Sequence, residues 1–199
     1  MVICQGEDVV ALQDEGDIRH ILNDLELRIE TDRLILEPIC ERHALDMTTL
    51  LSDPDLHTFI PSDPPTLEKL KSQYKYWESR ISPKEDELWL NWVGRLKSNG
   101  RIVGHFQAGV KTSLEATIAY MIGKDFQRQG FAFEGLTKVI DLLFEGTRAK
   151  SVKAWIDTRN QASINLVKKL GMNQVEFIAK ADHFKGSDSD EFVFELVRS

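Results

Sequence analysis

The run Gln127-Arg128-Gln129-Gly130-Phe131-Ala132 carries the strongest chemical hint in the chain. Before it, Ala116-Thr117-Ile118-Ala119-Tyr120-Met121-Ile122-Gly123 reads as a strand. After it, Phe133, Leu136, Val139, Ile140, Leu143 and Phe144 recur at three- and four-residue spacing, the mark of a helix with one buried face. A strand-to-helix junction leaves several backbone N–H groups without internal acceptors, all pointing one way. The helix dipole adds partial positive charge there, so the spot suits a phosphate or pyrophosphate. Gly130 lets the backbone turn tightly and approach such a ligand, and Ala132 keeps the first turn uncluttered. An ordinary turn uses the same residue types, so the loop acquires meaning from its surroundings. A P-loop is excluded because no Gly-Lys-Ser/Thr is present, and a dinucleotide fold because no three-glycine fingerprint follows a strand.

The elements that must position this loop follow from periodicity. Residues 1–26 are acidic, with Ile18, Ile21, Leu22 and Leu25 spaced for one face of a short helix that packs on the body or frays. Alternation then sets in: Leu27, Ile29, Leu34 and Leu36 suggest a strand or strand pair ended by Pro38. Residues 40–51 look helical, residues 52–65 form a Pro- and Asp-rich loop, and Thr66 caps a helix expected to run to about Ile81. A Trp-rich strand at 88–96 turns through Ser98-Asn99-Gly100 into a strand at 101–110. A second turn near 111–114 then leads into the strand before the loop. Beyond the central helix come a strand at 151–158 and a helix at 160–170 stopped by Gly171. A strand at 174–181, a polar loop at 182–190 and a last strand at 191–197 complete the chain. The order predicts an α+β fold in which only the strand–helix–strand around the central helix is a parallel crossover.

Composition narrows the class. The chain has 199 residues, with apolar and charged shares of 42% and 29% that suit one soluble globular domain. No apolar run is long enough to span a bilayer, and no basic-then-apolar leader opens the chain, which points to a cytoplasmic protein. Cys4 and Cys40 make neither a disulfide framework nor a metal cluster, and the five histidines show no ligand spacing. The net charge of −7 argues against general nucleic-acid binding and is compatible with a cationic substrate such as an amine.

Three stretches coincide with a known family. Gln127-Arg128-Gln129-Gly130-Phe131-Ala132 resembles the Gln/Arg-x-x-Gly-x-Gly/Ala signature of the GNAT acetyltransferases. Residues 159–172 resemble their Asn-x-x-Ser-x-x-Leu-x-x-x-x-Gly-Phe stretch, with Met172 in place of the usual Phe, a swap conservative in volume. Glu30-Thr31-Asp32-Arg33-Leu34-Ile35-Leu36 resembles the opening of the RimJ/RimL-like branch, which acetylates protein N-termini. The resemblance covers residues 27–199, leaving 1–26 as an N-terminal extension, and implies the GNAT fold: a central, mostly antiparallel, splayed sheet flanked by helices. It implies acetyl-CoA as donor and a primary amine as acceptor, with a protein N-terminus first among the candidates. A small-molecule amine, or a non-catalytic acyl-CoA sensor, stays open as an alternative.

By the same resemblance, backbone N–H groups from Arg128 to Ala132 hold the CoA pyrophosphate, beside Gln127. The strand edge at Met121 and Ile122 pairs with the pantetheine arm, Asn160 contacts that arm, and Ser163 sits near the sulfur. Acyl transfer needs a neutral amine, a polarised thioester carbonyl and a stable leaving thiolate. An N–H near Met121 or Ile122 meets the second need. Ser163 is the candidate proton donor to the thiolate, although Asn and Ser at a helix start also serve simply as caps. Asp182 and Glu115 are the candidate bases, with His105 third. Lys124 and Arg128, then Lys168 and Lys169, are candidate phosphate partners. Trp77, Trp89 and Trp92 are read as core or as the lining of an acceptor groove walled by the loops at 52–65 and after Ala181. No metal site is expected, and either a monomer or a homodimer fits.

Overall fold

The structure is a computed structural model that describes residues 18–25 and 27–198. The expectations for residues 1–17, Cys4 among them, lie outside the described residues. Eight strands form one sheet: β1 (Ile29–Glu30), β2 (Leu34–Pro38), β3 (Glu87–Leu96), β4 (Ile102–Lys111), β5 (Glu115–Ile122), β6 (Ser151–Asp157), β7 (Asn173–Phe184) and β8 (Ser187–Val197). Their order across the sheet is β1-β2-β3-β4-β5-β6-β8-β7. Every neighbouring pair is antiparallel except β5 and β6, which are joined by a helical crossover and run parallel.

That parallel pair is short. Glu115, Ala116 and Thr117 pair with Ser151, Val152 and Lys153, and then the strands part. Met121 and Asp157 each lie four residues past the last paired residues, Thr117 and Lys153. At a rise of about 3.3 Å per residue, the two strands run for ~13 Å without pairing to each other. The sheet is therefore split into a V that opens toward residues 123–132 on one side and 158–163 on the other.

Two helical layers cover opposite faces. Helices α4 (Phe131–Glu145) and α5 (Gln161–Lys169) bury Leu136, Val139, Leu143, Ile164 and Val167 against β4, β5, β6 and β8. Contact there is close: a side chain on Gly135 would meet the Phe106 ring at 2.4 Å. On the other face, α2 (Ala44–Leu51) and α3 (Leu67–Trp77) enclose a smaller core of Met47, Leu51, Leu70, Tyr74 and Val93. The Thr66 hydroxyl caps α3 by accepting from Lys69 N–H at 3.3 Å, and the helix ends at Trp77, short of the expected Ile81. Arg80, at φ 58°, breaks the run, and Ile81 instead bridges to Leu88.

The short helix α1 (Arg19–Asp24) lies with the buried Ile18 in the larger core. Leu25 packs against Gly146, just beyond the end of α4, and Trp92 Nε1 donates to Leu27 O at 2.6 Å. Helix α4 has fifteen residues, so this contact sits ~22 Å from its N-terminus, away from residues 127–132.

One expectation needs correction. Residues 182–190 are not a loop: β7 runs on to Phe184 and β8 begins at Ser187, so Asp182 stands in a strand. Lys185 at φ 52° and Gly186 at φ 79° make a two-residue turn of the left-handed kind that matches strand twist. Polar residues dominate because both sides of this extended hairpin meet solvent.

Candidate active site

The loop after β5 is held by its own glutamines. Gln127 Nε2 donates to Ile122 O at 3.1 Å, and Gln129 Nε2 donates to Asp125 O at 2.8 Å. Gly130 is the N-cap of α4 at φ 85°, a conformation that a side chain would strain. Among the described residues, the backbone N–H groups of Arg128, Gln129, Gly130, Phe131 and Ala132 donate no hydrogen bond. Five donors at the positive end of a fifteen-residue helix fit a pyrophosphate.

A second segment pins this loop from outside. Arg33 Nε bonds Glu134 Oε2 at 2.6 Å, Arg33 N–H donates to Glu134 Oε1 at 2.7 Å, and the Thr31 hydroxyl donates to the same oxygen. Arg33 Nη1 reaches Gln129 O at 3.0 Å, and its guanidinium lies 4.4 Å from the centre of the Phe131 ring. The Thr31-Asp32-Arg33 run therefore ties β2 to the first turn of α4. Arg33 also offsets the Glu134 charge, which would otherwise repel a phosphate at that helix end. Sequence reasoning quoted these residues only as a family mark, and their partner 101 residues away becomes visible only in the fold.

At the open V, Asn160 caps α5: its Oδ1 accepts from Ser163 N–H at 3.1 Å. Ser163 Oγ in turn lies 3.0 Å from Tyr120 Oη. Tyr120 leaves β5 on the α4–α5 face, between Ile118 and Ile122, so this hydrogen bond spans the gap between the two arms. Burial raises the Tyr120 pKa, the Ser163 bond opposing part of the rise, and the phenol keeps its proton at neutral pH. Tyr120 was not singled out in the sequence. Its place two residues before Ile122 on the same strand face was the available signal.

The other proposed residues spread more widely. Glu115 lies at the closed end of the V in an ion pair with Lys153 at 3.0 Å, whose hydrogen bond and charge hold its carboxyl below the usual range. His105 Nδ1 is buried without a partner, and burial, with His57 nearby, pushes the imidazole down to about 4. Asp182 is exposed, and its Oδ1 accepts from His183 N–H at 2.7 Å. Lys124 is held by Asp53 at 3.3 Å and Asp55 at 2.6 Å. Lys169 Nζ sits 4.3 Å from the centre of the Phe133 ring, beside the start of α4.

On the face opposite Tyr120 is an open groove of about 450 Å³ lined by Trp77, Trp89, Asn91, Gln107, Ala119 and Trp155. Trp92 is 1% exposed and belongs to the core, whereas Trp155 is 46% exposed. The two segments expected to wall an acceptor site do meet: Lys185 Nζ, at the tip of the β7–β8 hairpin, donates to the carbonyls of His57 and Ile60. This bridge crosses from the β8 side of the V to the loop following α2.

The description "Acetyltransferase (GNAT) domain" matches residues 33–173 of the chain. The chain belongs to that family and is an N-acetyltransferase. A Bacillus subtilis (strain 168) protein described as the uncharacterized N-acetyltransferase YoaA is 23% identical over 172 residues, covering 85% of this chain and 96% of that one. Among solved structures, the ribosomal-protein-S5-alanine acetyltransferase from Vibrio fischeri superposes with a TM-score of 0.76 at 16% identity, over 85% of this chain and 96% of its own. RimL, a ribosomal L7/L12 alpha-N-protein acetyltransferase in complex with coenzyme A, superposes with a TM-score of 0.74 at 13% identity, over 84% and 95%. The eight-stranded sheet, with its V and flanking helices, is the GNAT fold. GNAT domains use acetyl-CoA, and the free N–H groups at the start of α4 suit its pyrophosphate. Among the described residues, no helix is long and apolar enough to cross a membrane.

Proposed function

We propose that this protein acetylates the N-terminal α-amine of a protein or peptide, as the RimJ/RimL-like branch does. The observation that carries this reading is the shape and chemistry of the groove. Sites for small molecules are enclosed and cover most of the ligand. This groove is open to solvent and is lined by the indoles of Trp77, Trp89 and Trp155 and by Gln107, whose amide NH₂ donates to the buried Asn91 Oδ1 at 2.9 Å. Such a surface accepts an extended main chain as readily as a side chain. The solved neighbours named for ribosomal-protein and α-N-protein acetylation support the same acceptor.

In this reading, N–H groups from Arg128 to Ala132 hold the pyrophosphate, Met121 and Ile122 offer the open strand edge, and Asn160 uses its amide NH₂ on the same arm. Acetyl-CoA supplies an activated acyl group on a sulfur leaving atom. An N–H near Met121 or Ile122 stabilises the charge that develops on the thioester oxygen. The Tyr120–Ser163 pair delivers a proton to the departing sulfur, with Ser163 nearest the arm and Tyr120 behind it. A thiol of pKa about 8.5 is a fair leaving group, so this donation assists moderately.

The test is mass spectrometry after incubation with acetyl-CoA and a panel of acceptors. The panel contains peptides with free α-amines, lysine peptides with blocked termini, polyamines and aminoglycosides. Acetylation confined to the α-amino peptides is expected. Product only on a polyamine or aminoglycoside overturns the acceptor and favours a small-molecule enzyme. Tight acetyl-CoA binding with no product on any amine favours a sensor.

A further inference from the structure

On the reading that a primary amine is the acceptor, we infer that Glu191 is the group that takes the proton from that amine. Strand pairing places it. Glu191 on β8 stands opposite Asp157 on β6, at the level where the V is open. Side chains alternate along a strand, so Glu191 shares the sheet face of Asp157 and Trp155, the face that carries the groove. Tyr120 and Ser163 work from the opposite face. Base and acid thus stand on the two sides of the gap through which an acetyl group must be passed. The Lys185 bridge to His57 and Ile60 closes this end of the face over the V.

The neighbours of Glu191 are committed and it is not. Asp157 is bonded by Arg159 and by the Ser189 hydroxyl, the latter at 2.7 Å. Asp190 Oδ1 accepts from Lys180 N–H at 2.8 Å, and Asp182 Oδ1 from His183 N–H at 2.7 Å. Among the described residues, the half-buried Glu191 carboxylate makes no hydrogen bond or ion pair. The charged groups around it are Asp157 at the end of β6 with its partner Arg159 just beyond, Asp182 on β7, and Asp190 on its own strand. Burial first, then the Asp182 and Asp157 charges, raise its pKa, which makes it a stronger base than an exposed glutamate. A partnerless carboxylate among like charges costs stability, and such costs concentrate at functional sites. Glu115, by contrast, is neutralised by Lys153 at the closed end of the V.

The step balances simply. The amine nitrogen forms a bond to the acetyl carbon while the carbon–sulfur bond breaks. The amine proton goes to Glu191, and the thiolate takes a proton from the Tyr120–Ser163 pair. Both sites then exchange with solvent.

The experiment compares wild type with Glu191→Gln, Glu191→Asp and Asp182→Asn. It uses acetyl-CoA with a short peptide carrying a free α-amine, and spermidine as second acceptor. Glu191→Gln is expected to lower kcat by about 10²-fold, in the range for a lost general base, with partial recovery in Glu191→Asp and a much smaller loss in Asp182→Asn. In wild type, log kcat/KM falls with slope one below the amine pKa and steepens to two where Glu191 takes up its proton. In Glu191→Gln the slope stays at one. A thermal melt without acceptor separates roles: removing a repelled charge should hold or raise Tm, whereas a structural Glu191 would lower it. Unchanged kcat and slope in Glu191→Gln, or a lowered Tm, overturns the assignment. If wild type acetylates neither acceptor, the acceptor reading fails, and the melt still judges Glu191.

Discussion

The two sides of the V are built in opposite ways. On the proposed cofactor side several polar side chains hold the loop in place: Gln127 bonds Ile122 O, Gln129 bonds Asp125 O, and Arg33 bonds Gln129 O while pairing with the Glu134 carboxylate. Among the described residues, what remains free there is the row of N–H groups from Arg128 to Ala132. On the proposed acceptor side the side chains are the free groups, with Trp155 exposed and Glu191 without a partner among the described residues. An invariant ligand such as a pyrophosphate can be met by a rigid backbone cradle. On the proposed reading, a variable acceptor is met by side chains that contact little else, so that binding of the donor would be separate from choice of the acceptor.

The largest expected effect lies where the two sides meet. Tyr120→Phe combined with Ser163→Ala should lower kcat by roughly 10²–10⁴-fold, the range of acid–base groups, with far less change in acetyl-CoA affinity. Stopped-flow turnover and isothermal titration with acetyl-CoA check both halves. Equal losses in kcat and affinity would mean that the pair is only part of the cofactor wall.

Next comes the clamp. Arg33→Ala frees the Glu134 charge and loosens the Gln129 carbonyl. The KM for acetyl-CoA should rise about tenfold, equivalent to about 1.4 kcal/mol. The acceptor KM should stay near the wild-type value. Arg33→Lys should recover little, since one ammonium cannot reproduce the forked contacts. A rise confined to the acceptor KM would break the division between the two sides.

Trp155→Ala should act on the other side alone. With Trp155 46% exposed at the groove, its loss is expected to raise the acceptor KM several-fold and leave acetyl-CoA binding and Tm close to wild type.

The smallest effect is on acid stability. Hydrogen bonds from Arg159, then from Ser189, hold the Asp157 carboxyl at about 2. A depressed folded pKa stabilises the fold above the unfolded value of about 3.9, and that stabilisation is lost as pH falls through about 2. Asp157→Asn should therefore cost roughly 1–2 kcal/mol at pH 7 and almost nothing near pH 2. Melts at the two pH values measure the difference. Equal costs at both would show that Asp157 acts through shape and not through charge.

Much of the cofactor side was legible because its signals are local. Gly130 must turn where the next residue starts a helix, and Asn160 precedes Ser163 by the spacing of a cap. Their partners stand within a few residues of them, so spacing alone predicts contact. The acceptor side was not legible in this way. Asp182 was read into a polar loop because the hairpin through Lys185 and Gly186 is solvated on both sides and shows no apolar alternation. Tyr120 looked like one more strand aromatic until α5 placed Ser163 within 3.0 Å of its hydroxyl.

By itself the sequence determined the order of elements, the single parallel crossover, the loop that offers its N–H groups, and the caps of α3 and α5. These depend on periodicity and on neighbours within one turn of chain. Only the tertiary structure decided that β5 and β6 part after three residue pairs, that Arg33 reaches Glu134, and that Glu191 stands opposite Asp157 at the open level of the V. Such contacts join residues tens of positions apart. They are set by strand register and by which face of the sheet each helix covers, quantities that exist only once the whole sheet has formed.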